Sequence, residues 1–227
     1  MTPPPVKDPI PRFVADASQE ALPYGRWNER LRDELSKACE KHAEEAGASL
    51  PEEIQWFPDR AWGGRVYVPA TATTEGTKGK VEWFGFVSFA FPKGGEPSDF
   101  QAEADFTDVL AEDNAEWQID LNEEVVGGWR GEGSRKGDVT LVWGRPLVRG
   151  AVAATAELGG GVVDQTPVTE ERFTLVAVDA VKGFGDDLYL EVRLWSKRAQ
   201  ELAAESLYDE PEAEEPEAEE ASPPSAA

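Results

Sequence analysis

The stretch Val81-Glu82-Trp83-Phe84-Gly85-Phe86-Val87-Ser88-Phe89-Ala90-Phe91 decides the fold class. Read with a period of two, Val81, Trp83, Val87, Phe89 and Phe91 share one face while Phe84 and Phe86 lie on the other, so the strand needs cover on both sides. Left in water, Phe84 and Phe86 would forfeit roughly 1.5–3 kcal/mol each and invite aggregation. The apolar run from Trp83 to Phe91 spans nine residues, far short of the roughly 20 that a membrane-crossing helix needs.

Outward from this strand the same period recurs from about Arg65 onward. Phe100, Ala102, Ala104 and Phe106 alternate with Gln101, Glu103, Asp105 and Thr107, and Trp117, Ile119 and Leu121 alternate with Glu116, Gln118, Asp120 and Asn122. Val139, Leu141 and Trp143, then Phe173, Leu175 and Ala177, then Leu188, Leu190, Val192 and Leu194 repeat the pattern. Turn signals rich in Gly, Pro or charge separate these runs at 75–80, 92–97, 131–137, 159–161 and 182–187. The loops are short, and no helical pattern intervenes to carry a parallel crossover, so antiparallel pairing follows. Seven to eight such strands suffice for a strongly curved sheet or a partly open β-barrel.

Upstream, the period changes to that of a helix from about Arg26 to Ala46. Trp27, Leu31, Leu35, Ala38, Cys39, His42 and Ala46 form one stripe, with Glu29, Arg32, Glu40 and Glu44 mostly opposite and Gly47 as the stop. This stripe is expected to cover the Phe84 and Phe86 face of the apolar strand. Ser18 to Leu22 could add one helical turn. Downstream, Ser196 is placed to cap a short C-terminal helix through Leu202, Ala203 and Leu207. The expected fold class is therefore α+β, with one domain over 18–208 between a proline-rich arm (1–17) and an acidic tail (209–227). The tail repeats Pro-Glu-Ala-Glu-Glu at 211–215 and 216–220 and cannot bury enough apolar surface to order itself, which reads as disorder.

Charge narrows the function. The chain of 227 residues carries a formal −23, and it keeps −15 when the eight acids of the tail are set aside, so nucleic acid and anionic membranes are excluded as partners. Met1 to Pro11 lacks the basic start and apolar run of a secretory signal, and the expected location is the cytoplasm. A lone Cys39 forms no internal disulfide, in keeping with a reducing compartment. With Cys39 and His42 the only residues of their types and both on the helix's apolar stripe, a thiol or imidazole catalytic triad and a soft-ligand zinc site are ruled out. No metal or cofactor is expected.

Chemistry is then left to carboxylates, tyrosines and hydroxyls. Glu103 and Asp105 on one strand and Glu116 and Asp120 on another could form an acid–base pair if those strands adjoin, with Tyr67 or Tyr189 nearby. The one locally basic stretch holds Arg130, Arg135 and Lys136, followed by Arg145 and Arg149, and could hold an anion or the chain's own acidic tail. It opens no helix, so it is not a phosphate-binding loop of the P-loop type, and the glycines at 159–161 read as a turn or bulge. The leading expectation is a non-catalytic cytoplasmic binding or assembly module for a protein partner or a small apolar ligand. A hydrolase or isomerase using the strand carboxylates in a barrel pocket is the alternative. A third reading is a homo-oligomer subunit whose proline arm reaches across the interface.

Overall fold

Helix α1 spans Asn28–Glu40 and buries Leu31, Leu35, Ala38 and Cys39, the three-and-four spacing that brings these side chains onto one stripe. The computed structural model describes residues 27–90, 96–185 and 187–207. The proline-rich arm, the turn at Ser18 to Leu22, Phe91 and the acidic tail lie outside the described residues. The helix does not run unbroken to Ala46. At Lys41 and His42 the amides reach back to Ala38 and Cys39 at 3.3 and 3.0 Å, a tightened last turn. A second short helix, α2 (Ala43–Ala46), then ends at Gly47 with φ of 57°, the left-handed cap that glycine adopts freely.

The rest is strand. β1 is Gln55–Trp56, β2 Arg60–Trp62, β3 Arg65–Gly76, β4 Gly79–Ala90, β5 Ser98–Thr107 and β6 Ile119–Arg130. β7 is Lys136–Pro146, β8 Ala151–Leu158, β9 Gly161–Pro167, β10 Phe173–Lys182, β11 Leu190–Ser196 and β12 Glu201–Ser206. Every ladder is antiparallel. Twelve strands among the described residues exceed the seven or eight read from period-two patterns. They form three sheets and no closed barrel: β1-β3-β4-β5 with β2 on β3, then β10-β7-β6, then β12-β11-β8-β9.

The apolar strand β4 is indeed covered on both faces, but by the opposite elements from those its sequence suggested. Leu31, Leu35 and Cys39 of α1 join Val81, Trp83, Val87 and Phe89 of β4 and Val68, Ala70 and Ala72 of β3 in one cluster. Phe86, with Phe84 at its margin, belongs instead to the main core with Tyr67, Leu141, Trp143, Leu175 and Leu194. The helix stripe meets the β-branched and Trp83 face because β5 turns Phe100, Ala102, Ala104 and Phe106 that way. The other two sheets cover the Phe84 and Phe86 face.

The middle sheet, β10-β7-β6, is buried on both faces in β7 and β10. Trp62 of β2 packs onto the backbone of Gly127 in β6, where an added Cβ would lie 2.2 Å from the indole. On the other side, the buried Asp179 of β10 accepts the amide of Leu190 in β11 at 2.8 Å. Arg60 of β2 pairs with Asp164 of β9, and Asp164 also accepts the Val176 amide of β10 at 2.8 Å, so one carboxylate ties all three sheets.

The C-terminal helix is replaced by β12. Leu194 pairs with Ala203 and Val192 with Glu205, and Ser196 caps a hairpin turn, its Oγ accepting the Arg198 and Gln200 amides at 3.3 and 3.1 Å. A helix here would strip β11 of its outer ladder, and the backbone hydrogen bonds of a paired strand outweigh the helical preference of Leu202, Ala203 and Ala204.

Candidate functional site

The sequence-derived acids fall in three places. On β5, Glu103 lies opposite Phe86 and Asp105 opposite Phe84. Both therefore lie on the Phe84 and Phe86 face at the sheet's edge, and both are exposed. Glu116 is not on a strand: it sits exposed in the turn before β6. Asp120 opens β6 and is buried, opposite Arg145 of β7. Arg145 donates to one oxygen of Asp120 from both Nε, at 3.0 Å, and Nη2. The two strands do not pair in one ladder, because β5 ends one sheet and β6 ends the next. Of the four acids only Asp120 is buried, and a guanidinium already takes its charge.

Glu103 and Asp105 instead face Glu124 of β6. With Ala38, Lys41 and His42 they line a shallow groove of about 250 Å³. Burial raises the Glu124 carboxyl above its ordinary value, and the charges of Glu103 and Asp105 add to that rise. His42 stands beside Phe106, ring centroids 6.5 Å apart. Cys39 is fully buried, and burial pushes its thiol up to about 11, which leaves it inert rather than nucleophilic. Tyr67 is buried against Phe86 with ring centroids 5.6 Å apart, and Tyr189 is exposed.

One acid missed in the sequence changes the electrostatics. Glu82 is 8 % exposed, and its carboxyl is pushed up to about 7 by burial first and the charge of Asp120 second, with Arg145 opposing. Its signal was the single charge within the apolar stretch from Val81 to Phe91. Glu123 is likewise pushed up to about 7, by burial and then by Asp179. Among the described residues, no three of His, Cys, Asp and Glu are arranged to hold a metal ion.

The basic stretch resolves into a row. Arg130 pairs in register with Lys136, and Lys136 pairs in turn with Lys182 of β10, past a bulge at Ala180. Residues directly opposite in an antiparallel ladder share a face about 5 Å apart, so the three cations stand side by side across the end of the middle sheet. All three are exposed, and they border an open groove of about 580 Å³ with Trp129 and Asp138. Lys182 has one loose partner, Asp187 at 3.9 Å. Arg135 does not join the row: its guanidinium lies 5.0 Å over the Phe184 ring. Arg145 is committed to Asp120, and Arg149 stands exposed beyond the end of β7. Lys182 was missed because only the register of β10 against β7, which no local pattern encodes, brings it to Lys136.

The fold is thus a largely antiparallel β protein of three sheets, with α1 and α2 laid on the β1-β3-β4-β5 sheet. No helix among the described residues is long and apolar enough to cross a membrane. No known family, curated protein or solved structure matches this chain.

Proposed function

We propose that this chain is a non-catalytic binding module and that its binding surface is the row Arg130, Lys136 and Lys182, which takes a carboxylate-rich segment of a protein. The row itself carries this reading. Like charges directly opposite on neighbouring strands repel, so three cations in register are an arrangement that stability alone disfavours and an anion laid across them relieves. The chain's net charge of −23 does not cancel the local field, because charges more than about 8 Å away are screened at physiological salt. A segment with acids at every second or third position would meet two or three cations at once and keep its backbone in water.

The enzyme reading has one observation in its favour, the buried pair Glu82 and Asp120 with Arg145 beside it. Both carboxyls are nearly sealed from solvent, at 8 % and 5 % exposure, and neither lines the two grooves described above, which favours the binding reading. The oligomer reading rests on the proline arm, which lies outside the described residues.

The test is the affinity of an acidic decapeptide, Pro-Glu-Ala-Glu-Glu twice over, measured by titration at low salt. Reversing two cations, Lys136→Glu with Lys182→Glu, is expected to weaken binding about tenfold or more, since each exposed ion pair contributes up to about 1 kcal/mol. Equal affinity for both proteins, or for a peptide with Gln in place of Glu, would falsify the assignment.

A further inference from the structure

We infer that the segment of this chain that begins at Asp209 is itself the occupant of the Arg130–Lys136–Lys182 row, held there in cis; the inference rests on the binding surface proposed above and names its partner. Three observations converge. The first is position. The last described residue, Leu207, donates its amide to the Leu190 carbonyl at 3.2 Å, and Leu190 donates in turn to Asp179 of β10. Val181, the neighbour of Lys182, exchanges both backbone hydrogen bonds with Leu188 at 2.8 and 2.9 Å. With strands about 4.8 Å apart and a rise of about 3.3 Å per residue, the chain leaves β12 within about 20 Å of the row.

The second is orientation. Lys136 and Asp138 are two residues apart on β7 and so share a face, and Asp138 is in register with Asp179, which points toward β11. The row therefore shares its groove with Asp138 and Ala180, one bulge away from the β10 residue that bonds β11. The third is charge and length. Residues 209–220 hold eight acids and no cation. At about 3.3 Å per extended residue, the seven or eight residues after Leu207 already reach the row, and Glu212, Glu214 and Glu215 fall within the span that can contact it. A short tether of this kind gives an effective concentration on the order of millimolar. An acidic partner added from outside must then displace the segment.

Two full-length proteins test this: the natural chain and a variant in which all eight acids of 209–220 become Asn or Gln. Amide spectra of the two are expected to differ at Gly128, Lys136, Gly137 and Lys182 and to coincide across α1, and 0.5 M salt should move the natural chain's signals toward the variant's. The acidic decapeptide is expected to bind the neutral-tail variant about tenfold more tightly than the natural chain, through the same amides. Lys136→Glu with Lys182→Glu in the natural chain, its folding checked by circular dichroism, should shift Gly128 and Gly137 as tail neutralisation does. If the decapeptide binds both proteins equally at the row and their spectra coincide, occupancy in cis is overturned while the binding surface stands. If the decapeptide moves none of these amides in the neutral-tail variant, the binding surface itself is overturned.

Discussion

Asp164 and Glu82 are both buried carboxyls that burial pushes above their ordinary range, and they differ in what stands opposite. Asp164 faces Arg60 at 7 % side-chain exposure and is itself fully buried; replacing it by Asn leaves a guanidinium charge uncompensated. Breaking such a pair from one side costs about 3–5 kcal/mol, so Asp164→Asn should lower the urea midpoint sharply, and a loss below about 1 kcal/mol would refute the tie between sheets. Glu82 has no such partner, since Arg145 is spent on Asp120. Its carboxyl at about 7, against an ordinary 4.5, means that the folded state keeps the proton which the unfolded state loses first. Stability from this group is therefore full below about pH 4.5 and declines as pH rises toward 7, by up to about 3 kcal/mol. Glu82→Gln should match the natural protein in urea unfolding at pH 5 and exceed it by about 2 kcal/mol at pH 8; an equal gain at both values would contradict the assignment. Glu82 and Asp179 stand in the sequence as single acids between apolar neighbours, and Asp164 stands between Val163 and Gln165, but their partners are not legible there, because Arg60 lies 104 residues from Asp164.

Elements were legible where one face is apolar and the other wet. Phe100 to Phe106 alternates cleanly because β5 sits at a sheet edge with α1 on one side, and the helix stripe was legible for the same reason. The short or alanine-rich strands β1, β2, β8 and β9 lack that contrast. β12 was misread since Leu202, Ala203 and Ala204 favour a helix locally while the unpaired edge of β11 demands a strand. Hydrogen exchange distinguishes the two: slow amides should alternate along 201–206, whereas four consecutive slow amides would restore the helix. The division into three sheets rests on strand pairings far apart in sequence, such as β10 on β7, which follow no local pattern. Gly127 admits Trp62, so Gly127→Ala should cost about 1–3 kcal/mol by overpacking, and unchanged thermal unfolding would remove this contact from the account.

At the scale of the whole molecule, three sheets share one apolar core and are tied further by the buried Asp164, and the surface is acidic apart from local cations. Arg145 is consumed within the fold, and Arg135 lies over Phe184, which leaves the register of β6, β7 and β10 to assemble the one row argued above. The sequence located Arg130 and Lys136 but not Lys182. The same limit hid how near the chain's exit lies to that row, because Leu207 is linked to β10 only through Leu190, whose amide Asp179 accepts in the folded state. The most direct measurement uses a nitroxide-labelled acidic decapeptide added to the full-length protein with its eight tail acids neutralised. Line broadening confined to Gly128, Lys136, Gly137 and Lys182 is the predicted result; broadening centred on the groove at Lys41, His42 and Glu103, or spread evenly over the surface, would contradict it.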